Sequence, residues 1–138
     1  YSLLCRLYDT DMNEMSYYEN ISLLAYSPLA GGLLTGKYLN NEMPTDSRIT
    51  RVSTIGDRVN KNAMKAVQEY MKISKKFNIH PVHLALAFCT KRPFMGSVIF
   101  GATTDEQLDV VIKGLDVDLN DEIMKEISLV YKNYALTF

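Results

Sequence analysis

Apolar positions in this chain form two kinds of pattern. Ile21-Ser22-Leu23-Leu24-Ala25-Tyr26 is an apolar run of strand length that stops at Pro28, and Gly96-Ser97-Val98-Ile99-Phe100-Gly101 is a second, bracketed by glycines. Short runs of this kind predict strands buried on both faces, as in parallel sheets. Elsewhere the apolar residues recur at helical spacing. Ala63, Val67, Tyr70, Met71, Ser74 and Phe77 share a face of a helix predicted from about Lys61 to Phe77. A second helix begins at Pro81, a favoured first-turn residue, covers Leu84 to Thr90 and stops before Pro93. Thr104 and Gln107 are spaced as a capping box for a third, which ends at Gly114. Asn120 caps a fourth, with Asp121 and Glu122 in its first turn, running to about Lys132.

The order is strand, loop, two helices, strand, two helices, and strands joined by long helical crossovers predict a parallel α/β arrangement. The loop from about Asn40 to Asn60 is polar and carries Pro44, Gly56, Arg48, Arg51 and Arg58. Loops of this length inside a domain are often functional flaps.

Composition adjusts the picture only at its margins. The chain has 138 residues, 47% of them hydrophobic, so one domain accommodates it. Fifteen basic residues against sixteen acidic give a net charge of -1, without the basic excess of a nucleic-acid binder. Lys72, Lys75 and Lys76 read as a solvated helix face. Cys5 and Cys89 are too few and too far apart for a disulfide framework, which makes a reducing cytoplasm the expected location. No run is long enough to span a membrane and no signal-peptide pattern is present. The first residue is Tyr1 rather than methionine, the expectation for a piece of a longer protein.

The stretch richest in candidate chemistry is Ala25-Tyr26-Ser27-Pro28-Leu29-Ala30-Gly31-Gly32-Leu33-Leu34-Thr35-Gly36-Lys37-Tyr38. A buried strand ends in a tyrosine, a flat ring for stacking; glycines then let backbone amides approach a phosphate, and a lysine follows. An ordinary strand-to-loop turn with a surface lysine accounts for the same residues. Gly31, Gly36 and Lys37 also fit part of a P-loop, but Tyr38 stands where a Mg²⁺-ligating hydroxyl is needed and the following residues read as loop. His80 and His83 lack a carboxylate partner motif and read as helix-start residues, so no metal site is expected. Cys89 lies in an apolar helix and reads as core. No Tyr-x-x-x-Lys pair occurs, which removes a short-chain dehydrogenase reading.

The Ala25-to-Tyr38 run resembles the seventh-strand segment of aldo-keto reductases, in particular the bacterial subgroup that also resembles potassium-channel β-subunits. Tyr1-Ser2-Leu3-Leu4-Cys5-Arg6 resembles the end of the sixth strand, and Leu84-Ala85-Leu86-Ala87-Phe88 the helix before the eighth. Val98-Ile99-Phe100-Gly101-Ala102-Thr103-Thr104-Asp105-Glu106-Gln107-Leu108 resembles the eighth strand and its phosphate-binding turn. The resemblance implies that residues 1–138 are the C-terminal part of a (β/α)8 TIM barrel, incomplete by itself and carrying much of an NADP(H) site. By this resemblance Tyr26 stacks on the nicotinamide, Ser27, Leu29, Gly31 and Gly32 line the pyrophosphate path, and Lys37 contacts phosphate. Arg48 reaches the adenosine phosphate from the flap, and Gly101, Thr103 and Gln107 hold the 2′-phosphate and adenosine at a helix N-terminus.

Two departures qualify the resemblance. Val110 and Val111 stand where the family usually carries a polar pair on the adenine side. The family's Asp, Tyr, Lys and His tetrad has no counterpart here, so no catalytic residue is expected in this chain. The expected role is the cofactor-binding segment of a reductase that acts on small-molecule aldehydes or ketones; the alternative is a non-catalytic remnant or interaction module from a split or decayed gene. Two strands leave apolar sheet edges, which predict self-association or pairing with the N-terminal barrel part.

Overall fold

The computed structural model describes residues 1–52, 57–135 and 137. Strands β1 (Leu23–Tyr26) and β2 (Met95–Ile99) form a two-stranded parallel sheet. The described residues also form six α-helices: α1 (Asp11–Glu19), α2 (Arg48–Arg51), α3 (Lys61–Lys76), α4 (Pro81–Thr90), α5 (Asp105–Lys113) and α6 (Asp121–Asn133). The parallel crossover and the four later helices fall where the apolar patterns place them. Within the predicted Asn40–Asn60 loop lies α2, while Ser53 to Gly56 are outside the described residues.

Side-chain caps set the helix starts. Asn60 Oδ1 accepts from the amides of Asn62 (3.0 Å) and Ala63 (2.9 Å) to open α3, and Asn120 Oδ1 accepts from Ile123 (2.9 Å) to open α6. Each such cap satisfies amides that the first turn would leave unpaired, and contributes about 1 kcal/mol. His80 opens α4, its Nδ1 accepting from the Val82 amide at 3.2 Å. His83 Nε2 donates to the Val110 carbonyl at 2.8 Å and ties α4 to α5. Both histidines are therefore structural, and partial burial, followed by the neighbouring His83, lowers the His80 pKa below its ordinary value.

α4 is apolar nearly all round, as a helix buried on every side must be. Val82 and every residue from Leu84 to Cys89 are buried. α3 presents Ala66, Val67, Tyr70 and Ile73 to the main core, and α6 adds Ile123, Ile127 and Val130 against it. The Tyr70 hydroxyl donates to the Leu3 carbonyl at 3.0 Å, so the buried phenol has a partner and burial raises its pKa. The C-terminal end is fastened too. Thr137 donates its hydroxyl to the Leu4 carbonyl (2.7 Å), and the Asn60 amide nitrogen donates to the Thr137 carbonyl (2.6 Å).

Three details differ from the sequence-based expectations. Residues Tyr1 to Arg6 form a turn, closed by the Ser2 and Cys5 amides and carbonyls, in place of a strand end. The Tyr1 amino group donates toward the sheet, to the Tyr26 carbonyl, at 3.2 Å. α1 has no apolar stripe and buries only Ser16, and for that reason helical periodicity gives no sign of it. The strands, expected to be buried on both faces, are covered on one only. Ala25 is buried, while Leu24, Tyr26 and Ile99 are 64%, 66% and 52% exposed on the other face.

The register steps between Leu23, paired with Met95, and Leu24, paired with Ser97, which leaves Gly96 as a bulge residue. A Cβ on Gly96 would stand 2.7 Å from the Ser22 Cβ, so this close approach requires glycine. The bulge sets which side chains of β1 and β2 share the exposed face at the C-terminal ends of the strands.

Candidate cofactor site at the strand ends

Because the two strands are parallel and Tyr26 pairs with Ile99, the loops that leave them start side by side at one end of the sheet. Such a crevice outside the carboxyl ends of parallel strands is where α/β folds place ligands. The first loop opens with left-handed backbone at Ser27 (φ 58°) and continues with Ala30 (φ 51°), Gly31 (φ 69°) and Gly32 (φ 96°). Left-handed residues in succession curve the backbone into a concavity suited to an anion. Thr35 Oγ1 donates to the Gly32 carbonyl at 2.8 Å, and this bond, with the Gly32 amide on the Leu29 carbonyl (2.9 Å), fixes the turn.

Lys37 folds back over that turn. A Cβ on Gly32 would lie 3.0 Å from Lys37 Cε and 3.3 Å from its Nζ, so glycine is what lets the ammonium group sit against the backbone. The same ammonium stands 5.2 Å from the centroid of the buried Tyr38 ring, a cation–π contact that steadies it. Tyr38 fills the position a P-loop would give to a metal-ligating hydroxyl, and a short 3-10 turn follows it, so no nucleotide-triphosphate loop exists here.

At the second loop, Gly101 and Thr103 lead into α5. Thr104 Oγ1 caps the helix through the Gln107 amide (3.3 Å). Gln107 Oε1 turns back to the Thr103 amide (3.0 Å) and hydroxyl (3.2 Å), one residue short of the reciprocal bond that a capping box makes. Gln107 thus holds the approach to the α5 N-terminus in place. A Cβ on Gly101 would meet nothing within 4 Å, so that glycine leaves open space beside the helix end.

The expected site residues are brought together unequally. Tyr26 and Ser27 line one depression of about 280 Å³. Gly31, Gly32 and Lys37 form the turn beside it, with α2 packed against that turn, so Arg48, exposed at the start of α2 behind its Ser47 cap, belongs to the same neighbourhood. Gly101 and Thr103 are exposed on the adjacent loop, and Gln107 is exposed in the first turn of α5. Leu29 sends its side chain into the core, and its carbonyl is used by the Gly32 and Leu34 amides. Val111 is buried against Val82 and Leu86 of α4, and the Val110 carbonyl accepts from His83, so apolar helix packing accounts for both valines.

Arg58 and Cys5 complete the depression, together with Tyr1, Ser2 and Ala30, and sequence reasoning gave neither a site role. The only available signal for Arg58 was a basic residue late in a long loop. The two cysteines differ in setting. Cys5 is half-buried beside Tyr26, whereas Cys89 is fully buried and burial pushes its thiol up to about 12. Among the described residues no cluster of His, Cys, Asp and Glu could hold a metal, and no helix is long and apolar enough to cross a membrane.

The profile of the aldo/keto reductase family matches residues 1–132. The chain belongs to that family. It is 40% identical over 135 residues to protein Tas of Escherichia coli (strain K12), an alignment that covers 98% of this chain and 39% of that protein. A probable voltage-gated potassium channel subunit beta of Oryza sativa is 32% identical over 118 residues, covering 82% of this chain and 36% of that one. The chain therefore spans well under half the length of the curated relatives it matches. The structure of a glycerol dehydrogenase from Gluconobacter oxydans superposes with a TM-score of 0.75 at 21% identity, covering 98% of this chain and 41% of that one. That likeness establishes the fold as part of a (β/α)8 barrel, with two strands among the described residues.

Proposed function

We propose that residues 1–138 act as the NADP(H)-holding segment of an aldo-keto reductase that reduces aldehydes or ketones. The observation that carries this reading is the left-handed turn Ala30-Gly31-Gly32 with the Lys37 ammonium folded against it, at the end of a strand whose last side chain is an exposed tyrosine. NADPH, when bound, supplies the hydride. The exposed Tyr26 ring offers a face to the nicotinamide, the turn and Lys37 meet the pyrophosphate, and Arg48 on α2 approaches the adenosine phosphate. The α5 N-terminus, its approach fixed by Gln107, favours the negative 2′-phosphate. The proton donor belongs to the family's tetrad, which has no match here, so this chain alone is inactive and the carbonyl substrate meets it only in the longer protein. The near-neutral charge and the two free thiols support a cytoplasmic site.

NADPH added to the purified chain is expected to show fluorescence quenching or enhancement and to raise the unfolding midpoint in proportion to ligand. It is also expected to protect Cys5, which lines the Tyr26 depression, from a thiol reagent. Cys89, buried with a raised pKa, reacts only on unfolding. Unchanged Cys5 labelling at saturating NADPH, with no thermal shift, would discard the cofactor reading.

The exposed face made by Leu24, Tyr26 and Ile99 favours a second reading, that of an interaction module. An apolar sheet face and open strand edges are templates for association. Light scattering is expected to show self-association of the isolated chain, or pairing with the N-terminal barrel strands when these are supplied. A monomer that unfolds cooperatively in calorimetry would rule this out. Aldehyde turnover by the chain alone would overturn the assignment of catalysis to the other part.

A further inference from the structure

We infer that the groove between residues 38–43 and the start of α3 is a ligand site of its own, for a small anion that carries an apolar tail. The inference does not rest on the cofactor reading, because this groove and the Tyr26 depression share no lining residue. Its volume is about 540 Å³, within the usual range of small-molecule sites. Tyr38, Met43, Val59 and Met64 make its apolar part. Met43 is 51% exposed, and Val59 and Met64 are half-buried although both pack on the main core. Methionine is flexible and polarisable, so such a wall adapts to the shape of an apolar tail.

The charged part comes from α3. Lys61, Met64, Lys65 and Gln68 recur at helical spacing and all line the groove, which places two ammonium groups beside an apolar side chain. Among the described residues no carboxylate lines it, and neither lysine forms an ion pair. Further along the same helix the lysines are compensated: Lys72 is 2.6 Å from Glu69, and Lys76 is 3.2 Å from Glu122. Like charges four residues apart on a helix repel, and the packing of α3 does not call for them, since its core face is Ala66, Val67, Tyr70 and Ile73. An anion seated between Lys61 and Lys65 offsets that repulsion. The helix end does not itself supply the attraction, because Asn60 Oδ1 already holds the amides of Asn62 and Ala63. Two cations beside exposed methionine therefore select a carboxylate with a hydrocarbon chain. A bare anion gains nothing from the apolar wall, and a cationic amphiphile is repelled.

The test follows the methyl signals of the seven methionines by NMR as octanoate is added to the chain. The Met43 and Met64 signals, identified through Met43→Leu and Met64→Leu, are expected to shift saturably while the others stay in place. Acetate and octylammonium at the same concentration are expected to shift them little. Replacing both Lys61→Gln and Lys65→Gln is expected to weaken octanoate by about fivefold, the order for losing two solvent-screened charge contacts. The unfolding midpoint of that double variant is expected to stay the same or rise slightly, because the like-charge pair is gone. NADPH, whether or not it binds elsewhere, is expected not to displace octanoate. Absence of a saturable shift, equal responses to octanoate and octylammonium, or unchanged octanoate affinity in the double variant overturns the inference. Displacement by NADPH overturns it too, by making the groove part of the cofactor site. Shifts of Met43 and Met64 on raising the protein concentration alone, without an octanoate response, overturn it by giving the groove to a second copy of the chain.

Discussion

Phe88→Ala is expected to destabilise the folded chain by about 3–5 kcal/mol, the range for emptying a large buried aromatic site. Phe88 is 1% exposed in the last turn of α4 and its ring stacks on Tyr1, with centroids 5.8 Å apart and planes within 8°. The guanidinium groups of Arg6 and Arg92 rest on it, at 5.0 and 5.5 Å from the ring centroid. These two arginines share one carboxylate. Arg6 Nε and Nη2 each lie 2.7 Å from Asp9 Oδ2, and Arg92 Nη2 lies 3.2 Å from Oδ1, which also accepts from the Tyr1 hydroxyl at 2.6 Å. Two positive charges against one negative leave the ring faces as part of the compensation, and Arg6 Nη1 and Arg92 Nε have no hydrogen-bond partner among the described residues. Truncating Phe88 therefore opens a cavity and also removes the surface on which two desolvated charges rest. Urea unfolding followed by circular dichroism measures it, with Phe88→Leu as the milder comparison. A loss below about 1 kcal/mol would show that this cluster relaxes and is not central to stability.

The second large effect is expected at Gly32. Valine there must adopt a φ near 96° and would place its Cβ 3.0 Å from Lys37 Cε and 3.4 Å from Tyr38 Cε2. Left-handed backbone at a β-branched residue costs about 1–3 kcal/mol, and the lysine is pushed off the turn as well. Gly32→Val is expected to weaken NADPH binding by about tenfold or more while α3 to α6 stay folded. Gly101→Ala is the useful companion, because its Cβ enters open space. Its unfolding midpoint is expected to match the wild type, so any loss of NADPH affinity would report contact with the ligand. NADPH binding by Gly32→Val equal to wild type would contradict the role given to the Lys37-covered turn.

Those parts of the fold governed by local chemistry were legible in the sequence. Pro81, Thr104 and Asn120 mark helix starts through bonds or constraints that involve residues two or three positions away, and all three open helices in the structure. The strands were marked by Pro28 and the glycines around Val98-Ile99, though each proved a little shorter than its apolar run. α1 was not legible, because its nine residues bury almost nothing and its local bonds leave no periodic mark. The site divides in the same way. The glycine turn and Lys37 are close in sequence, and their arrangement follows from backbone constraints within that stretch. Arg58 lines the Tyr26 depression from 32 positions further along the chain, which no local pattern encodes. The sequence also led to strands covered on both faces. The apolar run alone does not distinguish a face covered by α4 from one that other strands of a barrel would cover.

The pairing of Leu23 with Met95 has a consequence for the order in which the chain takes shape. Everything between them, including α3 and α4, must be made and brought round before β1 can pair with β2, and such distant pairings form slowly. On a ribosome, β1 is made before α3 and α4, and its edge toward β2 stays unpaired while those helices are still being synthesised. Gly96 then matters for timing as well as for register. A side chain there would obstruct the alignment in which β2 closes against Ser22, and would prolong the interval in which the glycine turn and Tyr26 lack β2 beside them.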